Sequence, residues 1–163
     1  MHVMLVVSLI LVSVSFAGPA AQARKAAASA VSTRVDPPRT IDLTVGDDMK
    51  YSVTTIRARP GEPLRLRLIS RGTLPRIAMA HNVVVVKPAT NLVKFITDGA
   101  AFRANDFIAP ALKDEVIAKT PLAGPGETVQ VFFTAPSKAG RYPFVCTFAG
   151  HFQAGMKGML IVK

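Results

Sequence analysis

The sequence predicts an all-β fold: a Greek-key β-sandwich of two sheets with about eight strands and a short helical flap inserted between them. The first observation is a period of two in hydrophobicity, clearest in the LRLRL segment at 64–68. The second is the even spacing of short apolar runs, separated by turns that contain Gly or Pro. The single cysteine excludes an intramolecular disulfide, so the fold depends on its core.

Each strand is predicted from its own pattern of apolar residues. In the segment 64–70 three leucines alternate with two arginines, which places one face in the core and the other in water. Residues 83–86 are four consecutive valines, as is typical of a strand buried on both faces. Residues 91–112 follow neither pattern and are expected to hold a short helix in a flap between strands. The expected strands are 41–45, 50–58, 64–70, 81–87, 115–119, 128–134, 141–147 and 158–162.

The chain of 163 residues is half apolar, which excludes a wholly disordered protein and allows one domain with a substantial core. Its formal net charge of +10 makes the surface electropositive, so nucleic acid, an anionic membrane and an acidic protein are all possible partner classes. The basic residues are scattered and form no basic motif lined by aromatic residues. This argues against nucleic-acid binding.

Three segments are expected along the chain. Residues 1–23 are interpreted as a signal peptide, because the apolar run 3–16 is too short to span a bilayer core of about 30 Å and leads to an A-x-A sequence ending at Ala23. An uncleaved anchor at a membrane surface is the alternative. Residues 24–38 are expected to be a flexible leader, and 39–163 to form the folded domain. Cleavage after Ala23 predicts a periplasmic or otherwise extracytoplasmic protein.

The residues able to bind a metal fall into one pattern. Outside the expected signal peptide the chain has two histidines, His81 and His151, and its one cysteine is Cys146. Cys146, His151 and Met156 follow one another at intervals of five residues. A thiolate and two imidazoles with a weak thioether are the ligands of a trigonal His₂Cys copper site. Each residue alone also fits a structural role, but the complete set favours one type 1 copper ion per chain.

Other chemistries fit this set of residues less well. An enzyme would need a second metal or an open coordination position, and no spare His or Cys exists to build either. A nucleophilic Cys146 with His151 has no orienting acid nearby in sequence, so no catalytic residues are expected. A one-electron carrier that cycles between Cu(II) and Cu(I) is therefore the favoured function. A periplasmic protein that binds and delivers copper is the alternative.

Several segments resemble azurin, within the cupredoxin (blue copper) proteins. The similarity is strongest around the candidate ligands and extends along nearly the whole domain. The segments that carry it are GTLP at 72–75, MAHN at 79–82, TDG at 97–99, LAG at 122–124, CTFAGH at 146–151 and MKG at 156–158.

The resemblance implies a role for each residue around the copper. His81, Cys146 and His151 are then the equatorial ligands, Met156 is the axial ligand, and the backbone carbonyl of Ala80 lies on the opposite axis. The backbone N–H groups of Asn82 and Phe148 are expected to hydrogen-bond to the ligand sulfur and to tune the reduction potential.

The resemblance also implies an apolar docking patch where the ring edge of His151 approaches the surface. The positive charge favours an acidic redox partner, such as an acidic c-type cytochrome or a reductase domain. We expect a monomer that contacts a membrane only through an uncleaved N-terminal segment. The candidate members of the docking patch are Leu74, Pro75, Met79, Ala149 and Phe152.

Overall fold

The computed structural model describes residues 37–163 and contains eight strands in two sheets. The expected signal peptide and all but the last two residues of the expected leader lie outside the described residues. The predicted two-sheet β-sandwich is confirmed. The strands are β1 (Arg39–Val45), β2 (Thr55–Ala58), β3 (Pro63–Ser70), β4 (Val84–Val86), β5 (Val116–Lys119), β6 (Thr128–Thr134), β7 (Gly140–Val145) and β8 (Lys157–Val162).

The two sheets are mixed. One has the strand order β1-β3-β6 and the other has the order β2-β8-β7-β4-β5. β1 pairs with β3, and β2 with β8, in parallel, while the other pairs are antiparallel. Since β7 lies between β8 and β4, the segments that follow or precede these three strands come together at one edge of the larger sheet.

The core follows the patterns in the sequence. Leu64, Leu66 and Leu68 are at most 1% exposed. Val83 and Val85 pack in the main core between the sheets, whereas Val84 and Val86 pack in a second cluster with the helix. The run of valines is therefore buried on both faces, as its composition predicts.

The helical flap is present. Helix α1 (Leu92–Gly99) begins after Asn91, whose side-chain Oδ1 accepts a hydrogen bond from the Lys94 N–H at 3.1 Å. Phe95 and Ile96 face the second cluster. A Cβ atom on Gly99 would lie 2.1 Å from the Phe107 carbonyl oxygen, so the close approach of the following segment requires glycine there. Short 3₁₀ turns at Arg103–Asn105 and Pro110–Glu115 complete the flap.

β2 and β4 are the strands that fall furthest short of their expected bounds. β2 begins at Thr55 rather than at residue 50, because the segment before it bonds to the end of β1: the Ser52 N–H donates to the Thr44 carbonyl at 2.9 Å. β4 covers only Val84–Val86, because the Val83 N–H donates to the Thr120 hydroxyl at 3.0 Å instead of extending the strand. No helix within residues 37–163 combines the length and the apolar character needed to cross a membrane.

Candidate metal centre

The loop 146–156 connects β7 to β8 and brings three of the predicted donors together. Cys146 directly follows β7 and Met156 directly precedes β8, so the antiparallel pairing of these strands places the two residues side by side. The Cys146 N–H donates to the Met156 carbonyl at 3.1 Å, and the Met156 N–H donates to the His151 carbonyl at 3.0 Å. Gly150 and Gly155 have φ values of 86° and 95°, which only glycine adopts without strain.

His81 approaches from the neighbouring strand. It precedes β4, and β4 pairs with β7. An isolated bridge holds the His81 backbone: its N–H donates to the Ala123 carbonyl at 2.9 Å, and the Ala123 N–H donates back at 2.7 Å. Three segments that are distant in sequence therefore meet at one edge of the sheet.

The donor atoms are close together and shielded from water. One donor atom each from His81, Cys146 and His151 all lie within 4.8 Å of one another. Cys146 Sγ is 3.5 Å from His151 Nδ1. His81, Cys146 and Met156 are 0% exposed and His151 is 2% exposed. A cluster of this size and burial can hold one small ion.

Two nitrogen atoms in this cluster lack partners. Both His81 ring nitrogens are buried without a hydrogen-bond partner among the described residues. An unpaired buried polar group costs about 1–3 kcal/mol, which a metal–nitrogen bond would offset. Burial lowers the pKa of His81. Burial, and to a smaller extent the repulsion that a protonated His81 would exert, lower the pKa of His151 to about 4, so both rings are neutral at pH 7.

The pKa of Cys146 shifts in the opposite direction to those of the two histidines. Burial raises the pKa of its thiol to about 12, although hydrogen bonds from the Asn82 and Phe148 backbone N–H groups partly counteract this effect. A bound cation is therefore needed to deprotonate the sulfur. Two neutral imidazoles, a sulfur that loses its proton to a metal, and a buried thioether fit copper.

Comparison with known proteins gives the same result. Residues 40–163 match the family of copper binding proteins described as the plastocyanin/azurin family. This chain belongs to that family. Azurin from Pseudomonas aeruginosa is 35% identical to it over 127 residues, which are 76% of this chain and 84% of that protein. Auracyanin-A from Chloroflexus aurantiacus is 32% identical over 129 residues, which are 77% of this chain and 75% of that protein.

Solved structures agree. Auracyanin A, described as a "blue" copper protein, superposes with a TM-score of 0.69 at 28% sequence identity, covering 78% of this chain and all of that one. The resemblance to azurin is thus confirmed, and this cupredoxin is an electron-transfer copper protein by family. Copper is its cofactor, and His81, Cys146 and His151, with Met156 nearby, cluster as in a type 1 copper site.

Asn82 ties together the two segments of the cupredoxin that carry the donors. Its side-chain Oδ1 accepts from the Thr147 N–H at 2.9 Å, and its Nδ2 donates to the Thr147 Oγ1 at 2.8 Å. Both residues are buried. The residue after His81 is therefore fixed to the residue after Cys146 by two direct hydrogen bonds.

Four supporting residues of the cupredoxin site are absent from the sequence-based set. Thr147 donates its hydroxyl to the Asp106 carbonyl at 2.6 Å, which joins the ligand loop to the flap. The Tyr51 hydroxyl donates to the Asn82 carbonyl at 2.5 Å. Only Thr147 has a signal in the sequence, which is its position beside Cys146. The other three are Tyr51, Asp106 and Thr120, which lie in segments distant in sequence; Thr120 accepts the hydrogen bond from the Val83 N–H.

The other predicted residues of the cupredoxin divide into buried residues next to the donors and accessible residues of the proposed patch. Ala80 is buried beside His81, and the Phe148 ring contacts the ring of His151 at a centroid distance of 4.7 Å. The proposed patch is at least partly accessible, unlike the ring of His151 itself. Of its members, Leu74, Pro75 and Ala149 are exposed, and Met79 and Phe152 are half-buried.

Proposed function

We propose that this cupredoxin is an exported one-electron carrier that works between extracytoplasmic redox partners. The observation that carries the proposal is the single buried cluster of donors within residues 37–163. In this cluster both His81 ring nitrogens lack a hydrogen-bond partner among those residues. Copper, when bound, supplies the one-electron couple Cu(II)/Cu(I). In the proposal His81, Cys146 and His151 hold the ion, and Met156 adds a weaker thioether ligand.

The protein's contribution is to keep the donors in one arrangement. The backbone bonds between Cys146, His151 and Met156 restrain the loop, and the Asn82–Thr147 pair restrains the segment of His81. Donors that do not move when the charge on the metal changes lower the cost of electron transfer. We assign Ala80 a weak carbonyl contact to the metal.

We propose no enzymatic reaction and no substrate pocket at the metal. All four donors are at most 2% exposed, which supports exchange of electrons rather than of ligands. The partners in the proposal are acidic c-type cytochromes or reductase domains that dock a monomer through Leu74, Pro75, Met79, Ala149 and Phe152.

Visible absorption of the protein loaded with Cu(II) tests the site. We expect an intense thiolate-to-copper band in the red, and we expect Cys146→Ser to lose it while Met159→Ser, a change in β8, keeps it. Retention of the band in Cys146→Ser would contradict the ligand set.

A second measurement tests the carrier function. Reduced acidic cytochrome is mixed with the Cu(II) protein, and the loss of the red band is followed by stopped flow, in parallel with copper transfer to a chelator. Electron transfer should be complete long before copper leaves the protein. A faster loss of copper would favour the delivery function instead.

A further inference from the structure

A cleft beside the metal centre adjoins the docking patch proposed above, although none of its lining residues belongs to that patch. It has a volume of about 430 Å³, and its inner wall includes Ala80 and Phe148. Ala80 directly precedes His81, and the Phe148 ring contacts the His151 ring and the Phe107 ring. A partner group in this cleft would therefore lie next to the residue that precedes His81 and to the ring that contacts His151.

Part of the rim of the cleft is apolar and open to water. Ile77 is 70% exposed, the largest value among the exposed large hydrophobic residues of the described chain. Leu122 is half-buried on the same cleft, and Phe102, which precedes the rim residue Arg103, is 39% exposed. Exposed apolar side chains gathered at a concave surface are typical of sites that contact another protein.

The charges around the cleft do not cancel. Arg76 pairs with Glu127 at 2.5 Å and also donates to the Leu122 carbonyl at 2.8 Å. The Asp106 carboxylate pairs with Lys119 at 2.5 Å. Arg103 forms no ion pair and no side-chain hydrogen bond within residues 37–163. The charge that remains to be paired on this cleft is therefore the Arg103 guanidinium.

We propose that this cleft, which we call the Arg103 cleft, is a docking surface for an acidic protein partner. A partner carboxylate pairs with the Arg103 guanidinium through two parallel hydrogen bonds, and a partner apolar side chain packs against Ile77 and Leu122. This combination of an arginine and exposed apolar groups is the one enriched in protein interfaces. The inference rests on the proposed function, since the partner is a redox protein.

A charge reversal tests the cleft against the overall charge of the protein. Arg103→Glu and Lys87→Glu change the net charge equally, so Lys87→Glu is the control. Lys87 follows β4 and His81 precedes β4, which places these two residues roughly 20 Å apart along an extended chain. At about 0.1 M salt, where charges more than about 10 Å away are screened, Arg103→Glu should slow electron transfer from an acidic c-type cytochrome about tenfold. Lys87→Glu should slow it less than about twofold, because its charge is distant and exposed.

The copper spectrum and the reduction potential serve as controls, and Arg103→Gln is the milder variant if the reversal prevents folding. Both spectrum and potential should match wild type in every variant. Equal rates for Arg103→Glu and Lys87→Glu would overturn the Arg103 cleft and leave the carrier function intact. Failure of the wild-type protein to accept electrons would instead contradict the proposed function.

Amide chemical shifts locate the surface directly. With both proteins reduced, no electron moves, and the Cu(I) form is diamagnetic. Addition of the acidic cytochrome should shift the amides of Ile77, Arg103 and Leu122 together with those of the docking patch. Shifts confined to Ala149 and Phe152 would overturn the cleft.

Discussion

Cys146 combines complete burial with a pKa raised to about 12, so in the metal-free protein it is a neutral thiol. Copper must displace the proton, and metal affinity therefore rises with pH as the competition with protons weakens. The neutral rings of His81 and His151 add no such cost at pH 7, because burial already lowers the pKa of each. The arrangement of the apoprotein thus leaves a single proton to be released.

Met156 is expected to tune the copper rather than to hold it. A weak thioether ligand donates some electron density and stabilises Cu(II) slightly. We expect Met156→Leu to keep copper with a raised reduction potential, and Met156→Gln to keep copper with a lowered one, measured by protein-film voltammetry. Met159→Leu, in the adjoining strand, is the control and should leave the potential unchanged. Loss of copper from both Met156 variants would contradict this role.

At the scale of elements, Asn82 and Thr147 connect the end of β7 to the segment that leads into β4. Asn82→Ala removes both hydrogen bonds and leaves the buried Thr147 N–H unpaired, at a cost of about 1–3 kcal/mol in the free energy of unfolding. We also expect a shifted reduction potential, because the donors on the two segments are then less firmly fixed. Chemical denaturation and voltammetry measure these two effects.

Asn91→Ala is a matched control for this variant. It removes the N-cap of α1, which costs about 1 kcal/mol, and the hydrogen bonds that Asn91 accepts come from Lys94 and Phe95 rather than from a segment that carries a donor. The potential should not change. If both variants shift the potential equally, the Asn82–Thr147 pair has no specific effect on the metal.

The loop 72–75 is fastened by one carboxylate. Asp47 accepts hydrogen bonds from the Thr73 N–H and hydroxyl, both at 2.9 Å, and from the Leu74 N–H at 3.4 Å. The backbone bond from Thr73 is the main cause that lowers the pKa of Asp47 below its usual range. A Cβ on Gly72 would lie 2.4 Å from the Asp47 Oδ1, so a side chain at this position would push the carboxylate away from its present place.

The lowered pKa sets the pH dependence of the Asp47 contribution. It is fully present above the unfolded pKa of about 4 and is lost as the pH falls through the folded value. Asp47→Asn should therefore lower the melting temperature at pH 7, with a difference that shrinks as the pH falls below 4. Asp114→Asn, at an exposed position, should match wild type throughout. A constant difference between Asp47→Asn and wild type at all pH values would contradict the ionic origin.

The sequence predicts the strands and the donors better than it predicts what joins them. Alternation at 64–68 and the four valines at 83–86 depend on local burial, which periodicity records directly. The donors are predicted because Cys146, His151 and Met156 share one loop. The parallel pairing of β1 with β3 and the His81–Ala123 bridge depend on distant segments, and a single sequence carries no signal for them.

For the whole molecule, charge is the property that reaches furthest. The chain carries +10, and the five ion pairs of the described residues neutralise only part of the basic surface. Exposed ion pairs add little to stability, so the effect of this charge falls mainly on encounters with other molecules. A positive protein attracts an acidic partner over about one Debye length, which shortens from about 30 Å at 0.01 M salt to about 10 Å at 0.1 M.

This attraction predicts a rate that depends on salt and on the sign of the partner's charge. With an acidic c-type cytochrome, the bimolecular rate constant for electron transfer should fall steeply between about 0.01 and 0.1 M salt, because encounter is steered by charge. With a basic cytochrome of similar potential it should rise, because screening then removes a repulsion. Stopped flow measures both rate constants, and a rate constant that stays flat for the acidic cytochrome would contradict steering.

Phe152→Asp should slow electron transfer at high salt as well as at low salt, since it places a charge in the apolar patch where the two surfaces must lose water. Transfer as fast as wild type in this variant would exclude docking through the patch of Leu74, Pro75, Met79, Ala149 and Phe152.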